Sequence, residues 1–181
     1  MLSVGGINTG KWQTSLAPHD GAFFAYAMNN YWDTNFKERQ GGDFVFRFAL
    51  TSHGPNWTNA DAFRFGWGHC TDLLARALPA GQAGRLPAGA HGFLQVDAPN
   101  VVALTFKRAE DGDGYVVRLM EIEGRVATVR LRLPGLDIDR AVRTNIVERH
   151  QEDLPVSAGA VLLDVPAWGI ETVRLRLSAG Q

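Results

Sequence analysis

The chain has 181 residues, 45% of them hydrophobic, with 18 Lys plus Arg against 19 Asp plus Glu and a net charge of −1. That length fits one domain that buries roughly two-thirds of its unfolded surface, and the balanced charge provides no global field to attract nucleic acid or an anionic membrane. No apolar run reaches the ~20 residues that span a bilayer, Met1-Leu2-Ser3 lacks the basic and apolar regions of a signal peptide, and the lone Cys70 permits no intramolecular disulfide, which fits a reducing, cytoplasmic setting.

Residues 1–20 contain Gly5-Gly6 and Gly10 with little apolar patterning and read as the edge of a larger protein. From residue 21 to 178 the dominant signal is period-two alternation, the mark of strands with one buried face. A strand is expected over 22–29. In the next run Phe44, Phe46, Phe48 and Leu50 alternate with Val45, Arg47 and Ala49. Between 71 and 78 the pattern changes: Asp72-Leu73-Leu74-Ala75-Arg76-Ala77-Leu78 is rich in helix formers, Thr71 can serve as N-cap, and Pro79-Ala80-Gly81 ends the run, so one short helix is expected there. The Gly- and Pro-containing stretch 79–92 reads as a loop.

Strands resume at 92–97, and Val102, Leu104 and Phe106 alternate with Ala103, Thr105 and Lys107. Glu110-Asp111-Gly112-Asp113-Gly114 is hairpin chemistry leading into a strand at 115–122, and Glu123-Gly124 turns the chain into 126–133. The three strands read as a meander. Further strands are expected at 140–148, 160–164 and 172–177, with Leu154-Pro155 and Val165-Pro166 marking breaks, because proline cannot donate to a central ladder. Many short strands and one helix define an all-β, antiparallel two-sheet β-sandwich over 21–178.

The densest functional chemistry lies at 28–42. Asn29, Asn30, Trp32, Asp33 and Asn35 follow a strand, and Arg39 stands four residues beyond Asn35. Amides and a carboxylate bind sugar hydroxyls, and an aromatic face covers the apolar side of a pyranose, so these six residues are candidates for substrate binding or for docking on another domain. The same side chains also suit a plainer role, with Asn and Asp tying up loop backbone and Trp32 in the core. Other signals are weaker. Asp111-Gly112-Asp113-Gly114 has its glycine and later ligands misplaced for an EF-hand, and His69-Cys70 with His53 or His91 matches no familiar zinc spacing. No Gly-x-Ser-x-Gly elbow, Walker loop or dinucleotide fingerprint is present.

The string Asn29-Asn30-Tyr31-Trp32-Asp33-Thr34-Asn35-Phe36, with Gln40-Gly41-Gly42, Phe46-Arg47-Phe48 and Ser52-His53, resembles the C-terminal region of glycoside hydrolase family 38 α-mannosidases. Val101-Val102-Ala103-Leu104, the run from Lys107 through Tyr115, Arg118-Leu119, Glu148-Arg149, Leu154-Pro155-Val156 and Trp168-Gly169-Ile170-Glu171-Thr172 extend the likeness to about residue 177. The resemblance implies a retaining exo-acting glycosidase whose nucleophilic Asp and zinc ligands lie in an upstream barrel, followed by a helical bundle and β-sandwich domains. None of the barrel motifs matches here, so no catalytic or metal residue is carried over and no cofactor is assigned to this chain; zinc belongs to the catalytic domain.

The expected role is therefore an accessory sandwich that packs on the barrel and helical domains of a parent enzyme and lends a loop to its mannoside pocket. A free carbohydrate-binding module, with Trp32, Trp57 or Trp67 as its aromatic platform, and a purely structural or oligomerisation domain are the alternatives. Apolar surface left by a missing neighbour is compatible with a homo-oligomer.

Overall fold

Alternating sequence becomes hydrogen-bonded strand wherever a neighbour is available, and the second half of the chain supplies its own. A computed structural model describes residues 2–4, 14–15, 21–27, 41–84, 87 and 89–178. Its coordinates form two units, Met1–Thr51 and Ser52–Gln181. In the first, β1 (Leu2–Val4) pairs antiparallel with β2 (Phe23–Ala25), Ser3 lying opposite Phe24. Residues 41–50 have no regular structure, so the strand expected over 44–50 is not part of a ladder. No strand among the described residues pairs with it.

The second unit holds α1 (Asn59–Cys70), β3 (Gln95–Val96), β4 (Val101–Arg108), β5 (Tyr115–Glu121), β6 (Ala127–Arg132), β7 (Ile138–Thr144), β8 (His150–Leu154), β9 (Val156–Ser157), β10 (Ala160–Val165) and β11 (Ile170–Leu177). One sheet has the order β3-β6-β10-β9 and the other β4-β5-β11-β7-β8, with every neighbouring pair antiparallel. Alternate residues of the two sheets meet in a single core. Val117 and Leu119 of β5, Val173 and Leu175 of β11, Val129 and Leu131 of β6 and Val161 of β10 are fully buried there. The expected all-β sandwich is the fold observed.

Further details depart from the sequence reading. The turn at 123–124 does not return β6 alongside β5; it carries the chain across the core into the opposite sheet, where β6 pairs with β10 and β3, and β11 takes the place beside β5. In β4 a register shift between Ala103 and Thr105 breaks the expected single face. Val102 and Leu104 pack in an outer cluster with Ala60, Phe63, Met120 and Ile122, whereas Phe106 lies opposite Val117 on the core side. Such bulges insert one residue and re-aim the side chains beyond it.

The helix is displaced. It occupies Asn59–Cys70, before the expected span, and 72–78 carries no regular element. Thr58, not Thr71, is the N-cap: its Oγ1 accepts from Asp61 N–H at 3.1 Å, and the Asp61 carboxylate accepts from Thr58 N–H at 3.2 Å. Thr71 instead follows the last turn, its N–H donating to Trp67 O at 3.0 Å. Short helices draw most of their stability from docking an apolar face. Ala60 and Phe63 of α1 dock on Val102 and Ile122, while Leu73 and Leu74 project almost wholly into solvent.

Gly114 closes the β4–β5 hairpin at φ +88, and a Cβ there would lie 2.4 Å from Leu175 O. Gly135 has a similar φ of +81 but open space around it. Gly135→Ala should cost about 1 kcal/mol for left-handed backbone alone, and Gly114→Ala at least twice that. Urea melts of the two variants check the ordering.

Candidate functional site

The sequence-predicted site residues Asn29, Asn30, Trp32, Asp33, Asn35 and Arg39 lie outside the described residues. Two other surfaces have the geometry of sites, both on the outer face of the five-stranded sheet.

The first is a groove of about 360 Å³ between α1 and β4, lined by Phe63, Arg64, Trp67, Gly68 and residues 101–103. Phe63 and Trp67 fall on one helical face because they are four residues apart, and their rings stack at 5.1 Å with 15° between planes. Trp67 remains 47% exposed. The Arg64 guanidinium is held by Pro99 O at 2.7 Å. This is an aromatic shelf with a cation at its rim, able to cover the apolar face of a ring or another apolar surface. Trp57, another candidate platform, is half-buried and pairs with the His53 ring at 4.5 Å.

The second is a pocket of about 110 Å³ lined by Arg140, Thr144, Glu148, His150, Arg174 and Arg176, together with Val142. Period-two spacing places the guanidiniums together, and Arg176 sits directly across from Arg140 in the β11–β7 ladder. Carboxylates from the 111–114 turn and from β8 neutralise them. Arg174 donates to Asp111 at 2.7 Å, Arg140 to Asp153 at 2.7 Å, and Arg176 pairs with Asp113. The Asp113 N–H and Arg174 hold the Asp111 carboxyl below its ordinary value. Buried Glu148 accepts from Glu110 N–H at 2.8 Å and from Lys107 at 2.9 Å, and these bonds lower its pKa despite burial. The 111–114 segment is thus a hairpin turn whose aspartates engage arginines.

Among the described residues no three His, Cys, Asp or Glu side chains converge as metal ligands. His69 Nδ1 lies 2.8 Å from Phe65 O, and His91 packs edge-on against Phe93.

One polar centre was missed in the sequence. The Glu121 side chain is fully buried and its carboxylate accepts from the N–H groups of Glu123 (2.7 Å), Gly124 (2.8 Å), Arg125 (3.3 Å) and Trp168 (2.9 Å) and from Asn100 Nδ2 (2.8 Å). Parity is the signal that could have revealed it: Val117, Leu119 and Glu121 share the inward-facing register of β5, so a carboxylate there requires donors.

Residues 100–175 match the family model described as the glycosyl hydrolases family 38 C-terminal beta sandwich domain. The match starts at Asn100 and takes in β4 through most of β11, the strands that build the core. Fold and match agree: over this span the chain is a β-sandwich similar to that domain. The resemblance to glycoside hydrolase family 38 read from the sequence holds over this span. No curated protein matches the chain.

Burial alone would raise the Glu121 pKa; the donors from Trp168, Asn100, Glu123 and Gly124 outweigh it and bring it from 4.5 to about 2. Because the folded value is the lower one, the stabilisation is complete above about pH 4.5 and is lost as pH falls towards 2. Thermal melts between pH 6 and 2 should show a steep acid loss for the native protein and a flatter profile for Glu121→Gln, starting from a lower melting temperature at pH 6.

Proposed function

We propose that this chain is the accessory C-terminal sandwich of an α-mannosidase-type enzyme, packing on a catalytic domain outside the chain and lending its 29–36 loop to the mannoside pocket. The observation that carries this reading is the family match over 100–175, laid on strands whose buried and half-buried carboxylates serve the fold. Glu121 and Glu148 are consumed by backbone and lysine donors, and Glu171 is bound by Arg143 at 2.7 Å. Retaining hydrolysis needs two carboxyl groups about 5–5.5 Å apart with separated roles, and on this reading that pair and the zinc belong to the catalytic domain. The reducing setting implied by a single cysteine suits a cytoplasmic enzyme.

An independent carbohydrate-binding module is the second reading, favoured by the half-exposed Trp67 stacked on Phe63 beside an open groove. Titration with methyl α-mannoside separates the two. Saturable quenching of tryptophan fluorescence that Trp67→Ala abolishes would support the module.

The isolated chain should not hydrolyse an aryl α-mannoside, with or without added zinc; turnover that survives repurification, with stoichiometric metal uptake, would overturn the accessory role. Within the full-length enzyme, truncating Trp32 or Asn35 should weaken turnover or domain docking while leaving the melting temperature of the isolated chain unchanged. If Trp32→Ala instead destabilises the isolated chain by roughly 3–5 kcal/mol, as a core aromatic would, with unchanged kinetics per folded molecule, the loop has no part in the pocket.

A further inference from the structure

The β4–β5 turn contains the same dipeptide twice, Asp111-Gly112 and Asp113-Gly114. An aspartate followed by glycine can react with its own backbone. The glycine nitrogen attacks the side-chain carbonyl carbon, the carboxyl's hydroxyl leaves as water, and a five-membered succinimide forms. Water then opens the ring. Opening at the main-chain carbonyl leaves isoaspartate, with the backbone routed through one extra methylene and no net change in composition. Glycine favours the first step because no Cβ obstructs the approach. The uncharged carboxyl is the electrophile, so bonds that keep the carboxylate ionised slow the attack, as does an amide N–H that is already donating elsewhere.

The two steps are held differently. Both oxygens of Asp111 are engaged: Oδ1 accepts from Asp113 N–H at 3.0 Å and Oδ2 from Arg174 at 2.7 Å. These bonds hold its carboxyl below the ordinary value. The attacking nitrogen, Gly112 N, donates to Ala109 O at 2.9 Å. Asp113 has only the Arg176 contact on Oδ2, and among the described residues Gly114 N–H has no partner. Arg176 is 45% exposed and Arg174 15%, so water competes more freely for the Asp113 pair. The aspartates themselves are about equally exposed, so solvent access does not separate them. Asp20-Gly21 is a third such dipeptide, but Asp20 lies outside the described residues.

We propose that Asp113-Gly114 is a site of spontaneous isomerisation in the folded protein, while Asp111-Gly112, in the same turn, is held unreactive by its hydrogen bonds. Isoaspartate at 113 lengthens the turn directly before Gly114, where a Cβ would already lie 2.4 Å from Leu175 O, and moves the carboxylate away from Arg176. The proposal is independent of the function assigned to the chain.

The test is incubation of the chain at pH 7.4 and 37 °C, followed by peptide mapping in which electron-transfer fragmentation places each isoaspartate. A synthetic peptide covering 108–116 gives the rates at both positions without the fold. In the folded chain isoaspartate should accumulate at 113 at a rate within several-fold of the peptide's, and many-fold more slowly at 111. Arg174→Ala should accelerate position 111 several-fold. Equal rates at 111 and 113 in the folded chain would overturn the proposal, and so would isoaspartate confined to 111. An Arg174→Ala variant that melts as the native chain does and shows no acceleration at 111 would overturn it as well.

Discussion

The Glu121 carboxylate ties together the parts of the sandwich that the strands alone would leave independent. It sits at the end of β5, on the core side, where an ionised group is tolerated only if its oxygens are fully coordinated by donors. Those donors come from three places in the chain: the 123–125 turn, Trp168 before β11, and Asn100 before β4. The turn is thereby bent out of the five-stranded sheet and into the other, so that β5 and β6 face one another across the core. Trp168 adopts φ 56 to present its N–H, and its indole closes over Gly124, where a Cβ would lie 2.7 Å from Nε1. Glu123, positioned by the same turn, accepts from Ala60 N–H at 2.9 Å, so the first turn of α1 is held through a residue that Glu121 orients.

A contrasting device holds the far end of the same sheet. Arg140, Arg174 and Arg176 converge on the outer face, two of them in direct cross-strand register, and this would be repulsive without counter-charges. Asp111 and Asp113 in one turn and Asp153 on β8 supply them. Each arginine stem covers sheet surface while its head stays at the solvent boundary. Arg174 further ties the 111–114 turn to the one at Glu148, whose backbone carbonyl accepts from it at 3.3 Å. The charged pocket is therefore closed by the fold's own acids, and its arginines are spoken for as the sheet's outer covering.

The sandwich was legible because period two reports which face of a strand is buried, and β5, β6 and β11 express that pattern, whereas β8, polar and exposed at four of its five positions, does not and was not expected. What period two does not report is the neighbour. Nothing in Glu123-Gly124 distinguishes a hairpin within one sheet from a crossing between two. The information lies in Glu121, whose inward parity demands donors that a flat hairpin cannot provide. The bulge in β4 was hidden for a similar reason: Val102, Leu104 and Phe106 alternate without interruption, and only the differing partners, α1 outside and Val117 inside, split them. The family resemblance was legible over 100–175, where the match falls. The residues from 29 to 39 that were candidates for sugar contact or domain docking lie outside the described residues.

Residues 44–50 and 71–78 depart from expectation through one physical cause. Both have strong local preference, alternating phenylalanines in the first and Leu-Ala-Arg helix formers in the second, and both leave those apolar side chains in solvent. Local preference is worth tenths of a kcal/mol per residue, against backbone ordering of roughly 1–2 kcal/mol per residue, so neither segment can form its element without a surface that rewards it. Asn59–Cys70 succeeds with a poorer helical composition, including Gly66 and Gly68, because Thr58 and Asp61 cap it and Val102 and Ile122 receive it. The element that forms is the one with a docking partner.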